Sequence, residues 1–357
     1  MNDLNQDFNS LIQTSKAELA REIVDRQYAL HPDRWQAYSE EGYQKSLRDA
    51  QYHLDYLSNA AANASPGLFH DYVAWVKVLF ARLDFSPDVL PTTLKLTRQV
   101  LEESLPQEMF ILAEEYLDSA EKHLDRSPEN LKSEMDEDLP LFDLSREYLD
   151  LLLQGNRGQA SRIIQQAVED GVMIKDIYLH VFQRSQYEVG RLWQINEISV
   201  AHEHYCTAAT QLIMSQLYPR ILSNEKTGRQ MVMTCVHDEL HELGARMVAD
   251  FFELDGWDAY YLGANTPLKD ILSTLEEKKP DLLGISTTIT YHLGKLQDLI
   301  QAVKSTFPDQ QIPILIGGRP FNVDPGLGQK LGADGQALNA TEAVRVGTRL
   351  VSSSTTG

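Results

Sequence analysis

Between residues 229 and 350 the hydrophobic period of this chain switches back and forth, and that alternation constrains its fold more than anything else. RQMVMTC, WDAYYLG, DLLGIST and IPILIGG are short apolar runs of strand length. Between them, HELGARMVADFFEL, PLKDILSTLEE and YHLGKLQDLIQAVKS repeat apolar residues at three and four. Strands alternating with helices predict a doubly wound, Rossmann-like (flavodoxin-like) parallel sheet. GADGQALNATEAV supplies the last strand and the closing helix, and the polar end, residues 351–357, is expected to be disordered.

Upstream, residues 139–225 read as a four-helix bundle. LSREYLDLLLQG and GQASRIIQQAVEDG each end at a glycine, IKDIYLHVFQRSQYEVGRLW follows, and SVAHEHYCTAATQLIMSQLYPRIL comes after a turn at Asn196. Residues 126–138, RSPENLKSEMDEDLP with its ends, read as an acidic linker. Residues 1–125 read as an all-helical domain punctuated by Pro32, Pro66, Gly67, Pro87, Pro91 and Pro106. The whole is an α+β multidomain chain.

Composition narrows the function classes. A length of 357 residues holds two or three domains. A net charge of −20 argues against a nucleic-acid surface. There is no apolar run long enough for a membrane span and no signal-like apolar start. Only two cysteines, Cys206 and Cys235, lie in apolar segments, which suits a reducing cytoplasm. No catalytic, kinase or helix-turn-helix module is recognisable, so the expectation is a non-enzyme acting through a partner or its own assembly.

The chemistry concentrates in CVHDELHELG, residues 235–244, on the loop after the first strand. In an open α/β sheet, side chains there face a ligand at the carboxyl edge. Glu239, two residues before His241, can hold one ring nitrogen and leave the other free for a metal. Gly244 lets something bulky approach the backbone. A dinucleotide needs a glycine-rich turn at this point, yet the loop carries Asp238 and Glu239, which repel phosphate. Zinc is a competitor through His237 and His241, or through His202, Glu203, His204 and Cys206. A zincin, however, needs Glu directly after its first histidine, and Asp238 stands there.

Glu-x-His-x-x-Gly over Glu239, His241 and Gly244, then Ser286-x-Thr288, then Gly317-Gly318, each after a strand and in this order, resembles the cobalamin-binding domain family. The resemblance implies that His241 replaces the cofactor's own base beneath cobalt. It also implies that Ser286 and Thr288 meet the displaced nucleotide base and that Gly317 and Gly318 make room for its tail.

Trp193, nine intervening residues and the pair Glu203-His204 resemble the cap of adenosylcobalamin photoreceptors. The resemblance implies that Trp193 packs over the upper face and the adenosyl group, with Glu203 and His204 lining the same cavity. The best-known members carry a histidine directly after the tryptophan, which binds cobalt after illumination; this chain has Gln194. His204, His202 or water would take that role.

In residues 1–125, aromatic residues and histidines cluster on the second and third helices, where helical spacing also suits a plain core. A globin-like helical domain ahead of a light-type cobalamin module resembles the photocobilins, which hold biliverdin as well. The resemblance implies His53, Tyr56, His70, Trp75 and Arg82 as bilin contacts, bound without a thioether because neither cysteine lies in this region. A haem on His53 or His70 is the rival. The expected function is a cytoplasmic light sensor in which photolysis of the cobalt–carbon bond switches conformation or homo-oligomeric assembly, passed on to a signalling partner. The alternatives are a corrinoid carrier of a methyltransferase system and a cobalamin sensor indifferent to light.

Overall fold

The computed structural model describes residues 3–30, 32 and 39–354. The chain divides into two compact units. One is Met1–Glu129 together with Ile289–Gly294 and Arg319–Lys330; the other holds the remaining residues.

Among the described residues of the first unit, the long helices are α1 Asp3–Leu30, α2 Glu40–Ala62, α3 Pro66–Arg82, α4 Val89–Ser104 and α5 Gln107–Leu124. Pro66 opens α3 at a position whose N–H has no partner within a helix, so the ring costs nothing there. The core is apolar and closed, with Leu54, Leu57, Phe69, Val73, Leu94 and Leu117 at most 1 % exposed. Arg98 lies among Glu114, Asp118 and Glu121 and ties α4 to α5. The two later segments join this unit through specific contacts: Tyr291 stacks on Tyr52, and Arg319 pairs with Asp71.

The second unit begins with residues 130–138. The acidic composition predicts a linker, and two residues of this stretch are held on the bundle. Buried Glu188 accepts the Ser133 hydroxyl at 3.0 Å and the Glu134 amide at 2.8 Å. The bundle follows as α6 Phe142–Leu153, α7 Arg157–Glu169, α8 and α9 Val200–Ile221. Helix α8 runs Ile174–Ile177, passes through a π-helical turn at Tyr178–Gln183 and continues as Arg184–Gln194. Ser199 caps α9 by accepting the His202 amide.

The sheet strands are β1 Gln230–Cys235, β2 Asp258–Gly263, β3 Leu282–Ser286, β4 Ile314–Gly317 and β5 Gly335–Ala337. They are all parallel, in the order β2-β1-β3-β4-β5. The helices between and after them are α10 Leu243–Leu254, α11 Leu268–Lys278, α12 Leu293–Thr306 and α13 Ala340–Ser354. Helix α13 continues through Ser354, past the point where disorder was expected; residues 355–357 lie outside the described residues.

A buried carboxylate clamps bundle to sheet within this unit. Asp250 of α10 accepts the Tyr178 hydroxyl at 2.7 Å and the Tyr218 hydroxyl at 2.8 Å. The order reverses between β1 and β3, and this switch point is where open α/β sheets bind ligands. Cys235, the last residue of β1, pairs in register with Ser286, the last of β3. The loops leaving both strands therefore start side by side.

Candidate functional site

The loop after β1 is rigid by construction. Asp238 sits at φ 66°, donates its amide to Asn265 at 3.0 Å and pairs with Lys295. The turn sends Glu239 inward, where it is 0 % exposed. One of its oxygens, Oε1, accepts both the His241 amide at 3.0 Å and the His241 ring Nδ1 at 2.6 Å. The other, Oε2, accepts the Thr288 amide at 2.8 Å. A carboxylate accepts only, so in the neutral ring Nδ1 carries the proton and Nε2 keeps its lone pair. The His241 side chain is 60 % exposed. The Glu239 hydrogen bond holds the imidazole pKa above its ordinary value, and the charges of Glu239 and Glu203 act in the same direction. Glu203 of the bundle is thus within electrostatic reach of His241.

Around this histidine the remaining loop residues take distinct roles. A side chain at Gly244 would meet nothing within 4 Å, so the space in front of α10 is open. Ser286 is buried at the end of β3, and the hydroxyl of Thr287, 0 % exposed, has no hydrogen-bond partner. Gly318 has φ 124°, and a Cβ there would fall 2.0 Å from the Thr287 carbonyl oxygen. A Cβ at Gly317 would sit 3.2 Å from the Ala337 carbonyl oxygen. Gly318 is therefore required by the close approach of two backbones, and Gly317 beside it leaves little room for a side chain.

An exposed ring nitrogen on a fixed imidazole, an open glycine beside it and an unsatisfied buried hydroxyl at the switch point fit a large, polar-edged metal macrocycle. They do not suit a free metal ion. Among the described residues no group of three or more His, Cys, Asp and Glu side chains is placed to hold a metal alone. The set His202, Glu203, His204 and Cys206 is therefore not such a group.

The cap residues lie on two facing helix surfaces. Trp193 is half-buried near the end of α8, Gln194 beside it is 7 % exposed, and Glu203 and His204 bond to each other on α9. His204 is 75 % exposed. His202 is held at the start of α9 by the Ser199 hydroxyl at 2.8 Å. Behind this surface runs a polar chain that sequence reading missed. The Thr207 hydroxyl lies 3.0 Å from both Glu203 Oε1 and Gln186 Oε1. Gln186 Nε2 donates to Thr210 Oγ1 at 3.0 Å, and Thr210 meets the buried Tyr148 hydroxyl at 2.9 Å. The available signal was spacing: Gln186 precedes Trp193 by two turns, and Thr207 and Thr210 follow Glu203 by four and seven residues. Gln211 of α9 also reaches Glu242 at 3.0 Å, which ties the cap to the loop carrying His241.

In the first unit the residues singled out for a bilin are not gathered at one point. His53 is buried and bonded to the Tyr72 hydroxyl at 2.8 Å, with Tyr56 stacked on Tyr72 at 3.7 Å between ring centres. His70, two residues before Tyr72 on α3, bonds to Ser119 at 2.8 Å and stacks on His123. Positions two apart on a helix point to nearly opposite sides. Trp75 is half-buried on the same helix, and Arg82 is exposed at its end.

Both cysteines are buried and free, and burial pushes the thiols up to about 11 for Cys206 and about 12 for Cys235. No helix among the described residues is long and apolar enough to cross a membrane.

Comparison with known proteins bears on this arrangement. Residues 229–345 match the B12 binding domain family, and residues 144–218 match a second B12 binding domain family. Among curated proteins, dimethylamine corrinoid protein 1 of Methanosarcina acetivorans is 26 % identical over 160 residues, which is 44 % of this chain and 74 % of that one. A corrinoid protein of Desulfitobacterium hafniense is 21 % identical over 215 residues, 59 % of this chain and 99 % of that one. Among solved structures, the monomethylamine corrinoid protein of Methanosarcina barkeri shares the fold. Its TM-score is 0.53 at 21 % identity, over 58 % of this chain and 98 % of that one.

Proposed function

We propose that this chain, whose residues 229–345 match the B12 binding domain family, is a cobalamin-holding protein without a catalytic domain of its own, with His241 as the lower cobalt ligand. The observation that carries the reading is the Glu239–His241 pair, which fixes the tautomer and leaves Nε2 open at the switch point. Ser286, Thr287 and Thr288 would meet the displaced nucleotide base, Gly244 would admit the corrin edge, and Trp193, Glu203 and His204 would face the upper ligand. Bound there, cobalamin would supply a cobalt–carbon bond that can be broken by light or attacked by a nucleophile.

Two readings of the upper ligand follow, each with its own support. The curated relatives named above are corrinoid proteins, one of them a dimethylamine corrinoid protein, which favours a carrier that presents a methyl group to partner methyltransferases. The Trp193 and Glu203 surface favours an adenosyl ligand and a light response, with illumination changing conformation or subunit assembly. Biliverdin in the first unit belongs to that second reading; of the residues singled out for it, His53 and Tyr56 meet at Tyr72, whereas His70 is set apart beside Ser119 and His123.

Purification with cobalamin, then an absorption spectrum before and after illumination, tests both. A light-dependent spectral change with a shift in assembly is expected for the sensor, and Trp193→Ala should uncouple the two. Methyl transfer to a thiol by a partner enzyme, with no light response, would select the carrier. A red-absorbing pigment released by acid from protein made with biliverdin would support the bilin; its absence would remove it.

A further inference from the structure

We propose that the first unit carries a redox-active tyrosine, Tyr72. It gives its phenolic proton to His53 while its electron leaves through Tyr56, Tyr291 and Tyr52 to a one-electron oxidant at the surface. The inference needs neither cobalamin nor a bilin and stands apart from the cofactor reading. Tyr72 on α3 is 7 % exposed, and its hydroxyl lies 2.8 Å from Nδ1 of His53 on α2. Burial keeps the imidazole neutral, lowering its pKa to about 4. Burial also holds the phenol protonated, with Tyr56, Asp49 and Asp55 acting in the same direction. A neutral ring has one nitrogen with a lone pair and one with a proton. If Nδ1 accepts, the buried phenolic proton has a partner; if Nδ1 donates, that proton is left with none. The O–H therefore donates to Nδ1, because a buried donor without a partner is costly. Nε2, which then carries the ring proton, is not one of the fully buried atoms lacking a partner.

The rings form a continuous file. Tyr56 stacks on Tyr72 with ring centres 3.7 Å apart and planes at 10°. Tyr291 meets Tyr56 edge-on at 5.6 Å and stacks on Tyr52 at 5.9 Å. Tyr52 is 37 % exposed, so the file runs from a buried phenol to solvent. Tyr52 and Tyr56 stand one turn apart on α2 and share a face. Apolar packing alone would be served by phenylalanine, which brings no hydroxyl that must find a partner. In the proposed step the Tyr72 O–H bond breaks and an N–H bond forms at Nδ1. One electron passes along the rings, and the oxidant is reduced by one. A neutral tyrosyl radical remains beside an imidazolium. That positive charge arises close to Asp49 and Asp55, whose carboxylates already act on the Tyr72 hydroxyl. Asp55 shares its charge with Lys16 at 2.8 Å.

The test is flash oxidation of the cofactor-free full chain by photogenerated tris(bipyridine)ruthenium(III), with persulfate as terminal electron acceptor. Electron paramagnetic resonance should show a neutral tyrosyl signal that is lost in Tyr72→Phe. His53→Gln keeps an acceptor for the hydroxyl but cannot take its proton, so radical formation should slow about 100-fold, the scale of a positioned base. Tyr56→Phe and Tyr291→Phe should slow formation and leave the shape of the signal unchanged. A second reading needs no variant: in heavy water formation should slow several-fold, because the proton moves with the electron. An undiminished tyrosyl signal in Tyr72→Phe, or an unchanged rate in His53→Gln or in heavy water, overturns the proposal. So does a signal from tryptophan alone in the unaltered chain.

Discussion

Glu239, with no exposed surface, gives one carboxylate oxygen to both the backbone and the ring of His241 and the other to the Thr288 amide. One side chain therefore fixes a histidine tautomer and fastens the loop after β1 to the loop after β3. Glu239→Gln keeps the volume but brings an NH2 group to a place where three donors already converge. We expect cobalamin affinity to fall about 10- to 100-fold, the range typical for losing the partner of a metal-binding histidine. Titration followed by the cobalt spectrum reads this, and an affinity within twofold of the unaltered chain would refute the role of the carboxylate in orienting His241.

His241→Ala removes coordination without touching the core, because the ring is largely exposed. The chain should stay folded, with an unchanged far-UV spectrum. Its cobalamin affinity should drop, and the absorption should move to that of the base-on or five-coordinate cofactor. Retention of the original cobalt spectrum would remove His241 as lower ligand.

Two glycines that read alike in the sequence should behave oppositely. At Gly318 a Cβ would fall 2.0 Å from the Thr287 carbonyl oxygen, and φ is 124°. Gly318→Ala should destabilise the cofactor-free protein by about 2 kcal/mol or more, through both strain and displacement of the β3 loop. At Gly244 the space is open, so Gly244→Ala should leave cofactor-free stability within about 0.5 kcal/mol while weakening the corrinoid. Thermal melts with and without cobalamin separate the two effects, and parallel behaviour of the two variants would contradict this division.

Much of the second unit was legible from sequence because its signals are local. The alternating periods gave the strands and helices, and the ordered motif put Glu239, His241, Ser286 and Gly318 at adjoining strand ends. What escaped was non-local or made by backbone. The Thr288 amide is a ligand of Glu239 that no side-chain pattern announces. The stretch around Ser133 and Glu134 has linker composition, yet buried Glu188 needs those donors and draws the stretch onto the bundle. The grouping of Tyr291 and Arg319 with the first unit rests on partners more than 200 residues away, Tyr52 and Asp71, beyond any periodicity. In that unit, aromatic spacing was compatible with both a core and a ligand site; the stacked Tyr56 and Tyr72 and the separate settings of His53 and His70 show how spacing alone leaves the matter open.

The buried His53 makes the first unit acid-sensitive. Burial lowers its pKa from 6.5 to about 4, and the ring is 5 % exposed. In the unfolded chain the imidazole takes up a proton near its ordinary value, while in the folded chain it stays neutral until the pH is far lower. Below pH 6.5 the unfolded state therefore binds more protons than the folded state, and stability falls as the pH falls. The contribution is fully present above pH 6.5 and is lost progressively down to about pH 4. Its upper size is about 3 kcal/mol, from about 1.4 kcal/mol per pKa unit. His53→Gln would remove the titration but leave a hydrogen-bonding partner for the Tyr72 hydroxyl. Urea unfolding at pH 7, 6, 5 and 4.5, monitored at the tyrosines of this unit, should show a steeper loss of stability for the unaltered chain than for His53→Gln. Superimposable pH profiles would show that the imidazole is charged or solvated in the folded protein, contrary to its place against Tyr72.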